Sequence, residues 1–197
     1  MKKKYLLIIL VVLLIGGGLF FFLRKNTESD STKFSKEYTK VSEKNVFTYR
    51  NIDEIIKIME NGTGVVYLGF PECPWCQAYV KYLNEAALDA GIDKIYYFNI
   101  LEDRKNNTEK YQKIVSLLSG YLQFNEEGNE RIYVPNVSFH VKGKVIGNDY
   151  ETSLDTHDLS SPDEYWTEDE IKDLKTNLKK YMDEVYTALN SCTDCNK

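Results

Sequence analysis

Val65-Val66-Tyr67-Leu68-Gly69-Phe70 is an unbroken apolar run of strand length, and it feeds straight into Pro71-Glu72-Cys73-Pro74-Trp75-Cys76. A run that is apolar at both parities suits a strand buried on both faces, in the middle of a sheet. Just beyond it Tyr79, Val80, Leu83 and Ala87 recur at helical spacing, and Gly91 marks a stop. The junction between that strand and that helix decides the reading of the whole chain.

Working outward, Val46-Phe47-Thr48-Tyr49 reads as a short strand. Ile52, Ile55, Ile56 and Met59 read as a helix closed by Asn61-Gly62. On the other side, Ile95 to Ile100 is a second buried-type strand, and Tyr111, Ile114, Val115 and Leu118 mark a helix ending at Gly120. Val137 to Val141, Lys142-Gly143 and Lys144 to Ile146 read as strand, turn, strand. Thr167 and Glu170 suggest a capping box that opens a long helix carrying Ile171, Leu174, Leu178, Tyr181, Val185 and Leu189. Strands that alternate with helices predict a parallel sheet with right-handed crossovers, and the closing hairpin adds antiparallel strands at one edge. The expected class is α/β: a central mixed sheet flanked by helices, with a long C-terminal helix.

The chemistry at the junction follows from position. Exchange of a disulfide needs an exposed thiolate to attack and a second thiol close enough to resolve the mixed disulfide. Cys73 falls at the helix N-terminus, where unpaired backbone N–H groups and the helix dipole favour a thiolate. Cys76 lies a turn further in and is more buried. Pro74 fits the first turn, where its missing N–H costs nothing. Glu72 opposes thiolate formation by its charge, and it is also a candidate for proton transfer to Cys76. Trp75 offers apolar surface to a client, or packs at the domain rim.

The chain has four Cys, and the second pair is Cys192 and Cys195. Three readings stand for it: a local disulfide, a second electron-exchange pair, or a zinc site shared with Cys73 and Cys76. A helix leaving the active-site edge would carry the second pair to the opposite pole, which argues against the shared site. His140 and His157, the two histidines, have no converging ligands and are expected on the surface, so no metal is assigned.

Of 197 residues, 25 are basic and 30 acidic, for a net charge of -5. The first 25 residues hold five of the basic side chains and no acid, so the rest of the chain carries -10. An acidic body argues against nucleic acid as a partner. Residues 149–170 contain nine acids and no Lys or Arg, and read as a solvated connector. Tyr5 to Leu23 is apolar apart from Gly16-Gly17-Gly18. As a helix it would be roughly 28 Å long, about a bilayer's hydrocarbon thickness. Its apolar run continues through Leu19-Phe20-Phe21-Phe22-Leu23 after the glycines, which favours an uncleaved anchor over a signal peptide. Paired cysteines suit an oxidising space, so the body is expected on the extracytoplasmic side.

With these motifs in place, the stretch from about Val46 to Leu189 resembles the thioredoxin superfamily. The marks are Cys73-Pro74-Trp75-Cys76 after a central strand and Val134-Pro135 ahead of the final hairpin. The resemblance implies a thioredoxin-like fold, a cis proline at Pro135 packed against the redox pair, and a Val134 backbone that pairs with an extended substrate. Within the superfamily, the anchor and the long final helix are similar to the bacteriocin transport accessory proteins. The chain departs from thioredoxins proper in two ways. It lacks Gly-Pro between the cysteines, and Tyr67 stands where they place a buried Asp, six residues before the first Cys. Cys-Pro-aromatic-Cys is closer to glutaredoxins, and the direction of electron flow stays open.

The expectation is a signal anchor at 1–25, a polar tether at 26–45, one domain at 46–190 and a Cys-x-x-Cys tail at 191–197. The function expected is thiol–disulfide exchange on exported proteins or peptides, with Cys73 attacking and Cys76 resolving. A separate redox partner would recycle the pair, and no cofactor is needed beyond the Cys73–Cys76 disulfide. Two rivals are a non-catalytic accessory module of an export system and a redox-switched zinc protein using both pairs.

Overall fold

The computed structural model describes residues 28–150 and 161–191. At its centre are three parallel strands, β1 (Phe47–Tyr49), β2 (Gly64–Gly69) and β3 (Ile95–Asn99). The hairpin of β6 (Asn136–Val141) and β7 (Lys144–Asp149) joins them, with β6 antiparallel to β2. The spatial order is β1-β3-β2-β6-β7. β2 and β6, the two strands buried along nearly their whole length, are both interior in that order. The mixed sheet flanked by helices is the architecture the pattern implied.

Topology assigns the helices to faces. From β1 to β2 the chain crosses the sheet in one direction, and from β2 to β3 it returns. Right-handed crossovers therefore put the two connecting helices, α2 (Ile52–Asn61) and α3 (Pro74–Asp89), on opposite faces. Asn51 caps α2 in a reciprocal capping box with Glu54, and Ile55 and Met59 are its buried side chains. A short helix α4 (Leu101–Lys105) follows β3 and leads into α5 (Glu109–Leu117), which packs beside α2. A two-stranded ribbon, β4 (Gln123–Phe124) and β5 (Glu130–Arg131), occupies the polar stretch before Pro135. The chain then enters the hairpin, whose turn at Gly143 has φ +76°. A Cβ there would collide with the carbonyl oxygen of Glu60, so the turn can nest against the end of α2 only as glycine.

A one-turn helix, α6 (Pro162–Tyr165), precedes α7 (Glu168–Asn190), which runs along α3, β2 and β6. Thr167 caps α7 by accepting from the Glu170 N–H. Leu174, Leu178, Met182 and Val185 are its buried stripe. Ile171 and Tyr181 flank that stripe, while Leu189 stands out in solvent at 46% exposure.

Three expectations fail here. Within 149–170, read as a solvated connector, Tyr165 and Trp166 are buried against Trp75, Tyr79 and Tyr82. Of the segment read as a polar tether, residues 28–45 belong to the domain. Asp30–Glu37 form helix α1, capped by Ser29. Phe34 and Tyr38 are fully buried, and the Phe34 ring stacks on Phe47 of β1 with centroids 3.9 Å apart. Phe34 is the buried side chain of the helix, Tyr38 its extended C-cap and Val41 part of the turn beyond it, so the buried residues follow no single periodicity among the Lys, Glu and Ser around them. His140, expected on the surface, is fully buried on β6, with Nε2 2.9 Å from Ser138 Oγ. The reason is that helices cover both faces of the sheet where β6 runs, so its side chains are buried at both parities. The anchor at 1–25, His157 and the pair Cys192 and Cys195 lie outside the described residues. Among the described residues no helix is long and apolar enough to cross a membrane.

Candidate functional site

Parallel strands β2 and β3 end at the same edge of the sheet, so the loops that follow them are neighbours. The loop after β2 carries Cys73, and the loop after β3 leads into α4. Cys73 is the N-cap of α3, with Pro74 in the first turn. Its Sγ accepts the backbone N–H of Cys76 at 3.3 Å, the bond a Ser or Asp cap would make. Cys73 keeps 8% exposure and Cys76 none. Both thiols are free.

This arrangement separates the two thiols in acidity. A hydrogen bond from the Cys76 thiol, the backbone N–H groups of Cys76 and Trp75, and the charge of Arg104 bring Cys73 down to about 7, against the opposing effect of burial. Burial first, and then the neighbouring Cys73, push Cys76 well above the usual thiol range. Of the two sulfurs Cys73 is thus the one favoured as a thiolate, and Cys76 the one held as a thiol. That is the division of labour expected of an attacking and a resolving group.

The remaining wall comes from the chain ahead of the hairpin. The Val134–Pro135 peptide bond is cis. The Val134 carbonyl oxygen lies 3.9 Å from Cys73 Sγ, and Val134 is nearly buried. Of the expected site residues, the structure thus brings together Cys73, Cys76, Val134 and Pro135. Trp75 is half-buried at the rim, with its ring edge-on to Tyr165 at 5.7 Å. Glu72 is exposed, and the groups that set the acidity of Cys76 are Cys73, the Phe70 backbone and Tyr67.

Three supporting features escaped the reading of the sequence. Gln77 clamps the loop before Cys73 to the end of α1: Nε2 donates to the carbonyls of Glu37 (2.7 Å) and Pro71 (2.9 Å), and Oε1 accepts the Thr39 N–H. Arg104 lies over the Phe70 ring at 4.9 Å, and the Phe70 carbonyl accepts the Cys73 N–H at 3.2 Å. The shared strand edge was the signal for Arg104, since a basic residue just after β3 must come near whatever follows β2.

The third feature is a buried tyrosine cluster behind Cys76. Tyr67 stacks on Tyr97 with centroids 5.6 Å apart, and the Tyr38 hydroxyl donates to that of Tyr97 at 3.1 Å. The Tyr67 hydroxyl is fully buried and meets no acceptor in hydrogen-bonding geometry. It points along the strand over Gly69, where any Cβ would collide with it. Burial, followed by the electrostatic effect of Cys76 and Tyr38, makes its ionisation strongly unfavourable. Tyr67 can therefore donate to a Cys76 thiolate but cannot serve as its base.

Among the described residues no three His, Cys, Asp or Glu side chains converge to hold a metal ion. Comparison with protein-family models, with curated proteins and with solved structures returned no match for this chain.

Proposed function

We propose that this protein is a thiol–disulfide oxidoreductase of thioredoxin-like fold, tethered to the membrane by its first 25 residues and acting outside the cytoplasm on exported proteins or peptides. The observation that carries the reading is the asymmetry of the cysteine pair. Cys73 caps a 16-residue helix, where the Cys76 thiol and backbone N–H groups lower its pKa, while Cys76, one turn on, is sealed from solvent. The strand order β1-β3-β2-β6-β7 and the Val134 carbonyl 3.9 Å from Cys73 Sγ support the fold assignment.

In the reducing direction the Cys73 thiolate attacks one sulfur of a client disulfide. A Cys73–client bond forms as the client S–S bond breaks, and one client thiolate leaves and takes up a proton. Cys76 then gives up its proton and attacks Cys73 Sγ. The Cys73–Cys76 disulfide forms, the second client thiolate leaves, and two electrons have passed to the client. The oxidising direction is the same sequence reversed. A separate dithiol or disulfide partner resets the pair.

The test uses a disulfide-bonded peptide and two variants. Cys73→Ser should abolish exchange, and Cys76→Ser should accumulate a mixed disulfide through Cys73. Equal trapping by both variants would overturn the assigned roles.

A further inference from the structure

Between α5 and the β4–β5 ribbon the surface opens into a cleft of about 940 Å³, walled by Arg104, Tyr111, Phe124, Glu130 and Arg131, and Arg104, lying over Phe70, is the wall residue whose charge reaches Cys73. The cleft's two cations are the notable feature. The Arg104 guanidinium is half-buried over Phe70, and that of Arg131 sits 5.8 Å from the Tyr133 ring, on the strand that leads to Val134. Neither is paired with a carboxylate among the described residues, where seven Lys–carboxylate pairs are formed. Arg104 loses basicity to burial and then to the like charge of Arg131. Among the described residues two neighbouring arginines are thus left without a carboxylate partner, and the charge of one of them, Arg104, acts on Cys73.

The cleft's own carboxylates do not fill that role. Glu130 accepts the Gly120 N–H at 2.7 Å, and Glu127 accepts from the Asn129 side-chain amide at 3.5 Å. Of the cleft's charges, Arg104 is the one that acts on Cys73. An anion entering the cleft would relieve the repulsion between the guanidiniums and could take two parallel N–H···O bonds from either.

We propose that Arg104 and Arg131 bind a carboxylate of the disulfide substrate, so that favoured substrates carry an acidic group close to the cysteine that Cys73 attacks. This rests on the exchange activity proposed above and names its substrate class. The carboxylate could belong to an acidic side chain of a peptide or to a small disulfide acid. Both present the same chemistry to the guanidiniums.

The experiment compares two matched pairs of substrates on the full-length protein. One pair is a disulfide-linked peptide with Glu or Gln next to the cysteine, and the other is dithiodiglycolate against 2-hydroxyethyl disulfide. The readout is the ratio of kcat/KM, acidic over neutral, with the Cys73 alkylation profile recorded in parallel to normalise for thiolate content. A charge-assisted pair predicts an acidic preference of roughly ten- to a hundredfold at low salt. That preference should fall with ionic strength and be largely lost in Arg104→Gln and Arg131→Gln. Preference within the peptide pair alone would assign the carboxylate to a side chain, and preference in both pairs to the carboxylate itself. Robust exchange with a ratio near one overturns this inference and leaves the oxidoreductase reading intact. No exchange with any substrate overturns that reading instead.

Discussion

Replacing Tyr67 by Phe removes a single oxygen from the centre of the molecule, and the structure predicts opposite effects on stability and on turnover. The hydroxyl is fully buried and has no acceptor, and a polar group left unpaired in that way costs about 1–3 kcal/mol. The Phe ring keeps the stacking on Tyr97 and Tyr79. The Tyr67→Phe dithiol form should therefore be more stable than wild type by about 1 kcal/mol, the low end of that range. The resolving step should suffer. When Cys76 ionises, Tyr67 is the side chain that donates to it and lowers its pKa, and a hydrogen bond to a charged group is worth about 1.5–3 kcal/mol. Its loss should slow resolution of the mixed disulfide by roughly tenfold at neutral pH, since about 1.4 kcal/mol is a factor of ten. Denaturant midpoints of the reduced protein read the first effect, and single-turnover decay of a preformed mixed disulfide reads the second. The paired control is Tyr38→Phe, which leaves the Tyr97 hydroxyl without its donor and should cost about 1 kcal/mol. A Tyr67→Phe protein that is destabilised and resolves at the wild-type rate would refute the placement of that hydroxyl.

Alkylation of Cys73 should follow a single titration with a midpoint near 7, shifting upward in Cys76→Ala because the Cys76 hydrogen bond is the largest contributor; a midpoint of 8.5 or above in wild type, about that of a free thiol, would contradict the helix-cap argument. His140 should make the fold acid-sensitive. Burial lowers it from 6.5 to about 4, so the unfolded chain binds its proton more tightly than the folded one. The contribution is fully present above pH 6.5 and is lost as pH falls towards 4, by about 3 kcal/mol in all. Denaturant midpoints between pH 7 and 4 should fall less in His140→Gln, and parallel curves would remove His140 as the cause. Phe34→Ala should cost about 3–5 kcal/mol, as for a buried aromatic; a change under 1 kcal/mol in thermal or chemical unfolding would return residues 28–45 to the status of a tether.

The sheet and its helices were readable because β2 and β3 are apolar runs, and because the helices α2, α5 and α7 announce themselves by spacing and caps. Cys73 and Cys76 were readable because their chemistry depends on local geometry, a helix start and one turn. The parts that escaped depend on contacts distant in sequence. α1 is too polar for its mean hydropathy to reveal that Phe34 and Tyr38 lie against Phe47 and Tyr97. His140 looked ordinary because nothing near it in sequence says that β6 is interior. Arg104 is 31 positions from Cys73, and only the common edge of two parallel strands brings them together. Tyr67 was noticed as the absence of a carboxylate. Its positive role emerges only once its hydroxyl is seen alone beside Cys76.

The most direct test of the central claim is the reduction potential of the Cys73–Cys76 couple, taken from equilibration in dithiol/disulfide buffers with alkylation of the thiols and mass measurement. A redox centre predicts one two-electron transition, abolished by Cys73→Ser. Its midpoint should fall within the span of exchange catalysts, about -270 to -120 mV, and its position within that span would give the direction of electron flow. A midpoint below about -300 mV, where structural disulfides lie, or a pair that never oxidises, would show that Cys73 and Cys76 do not exchange electrons with a client.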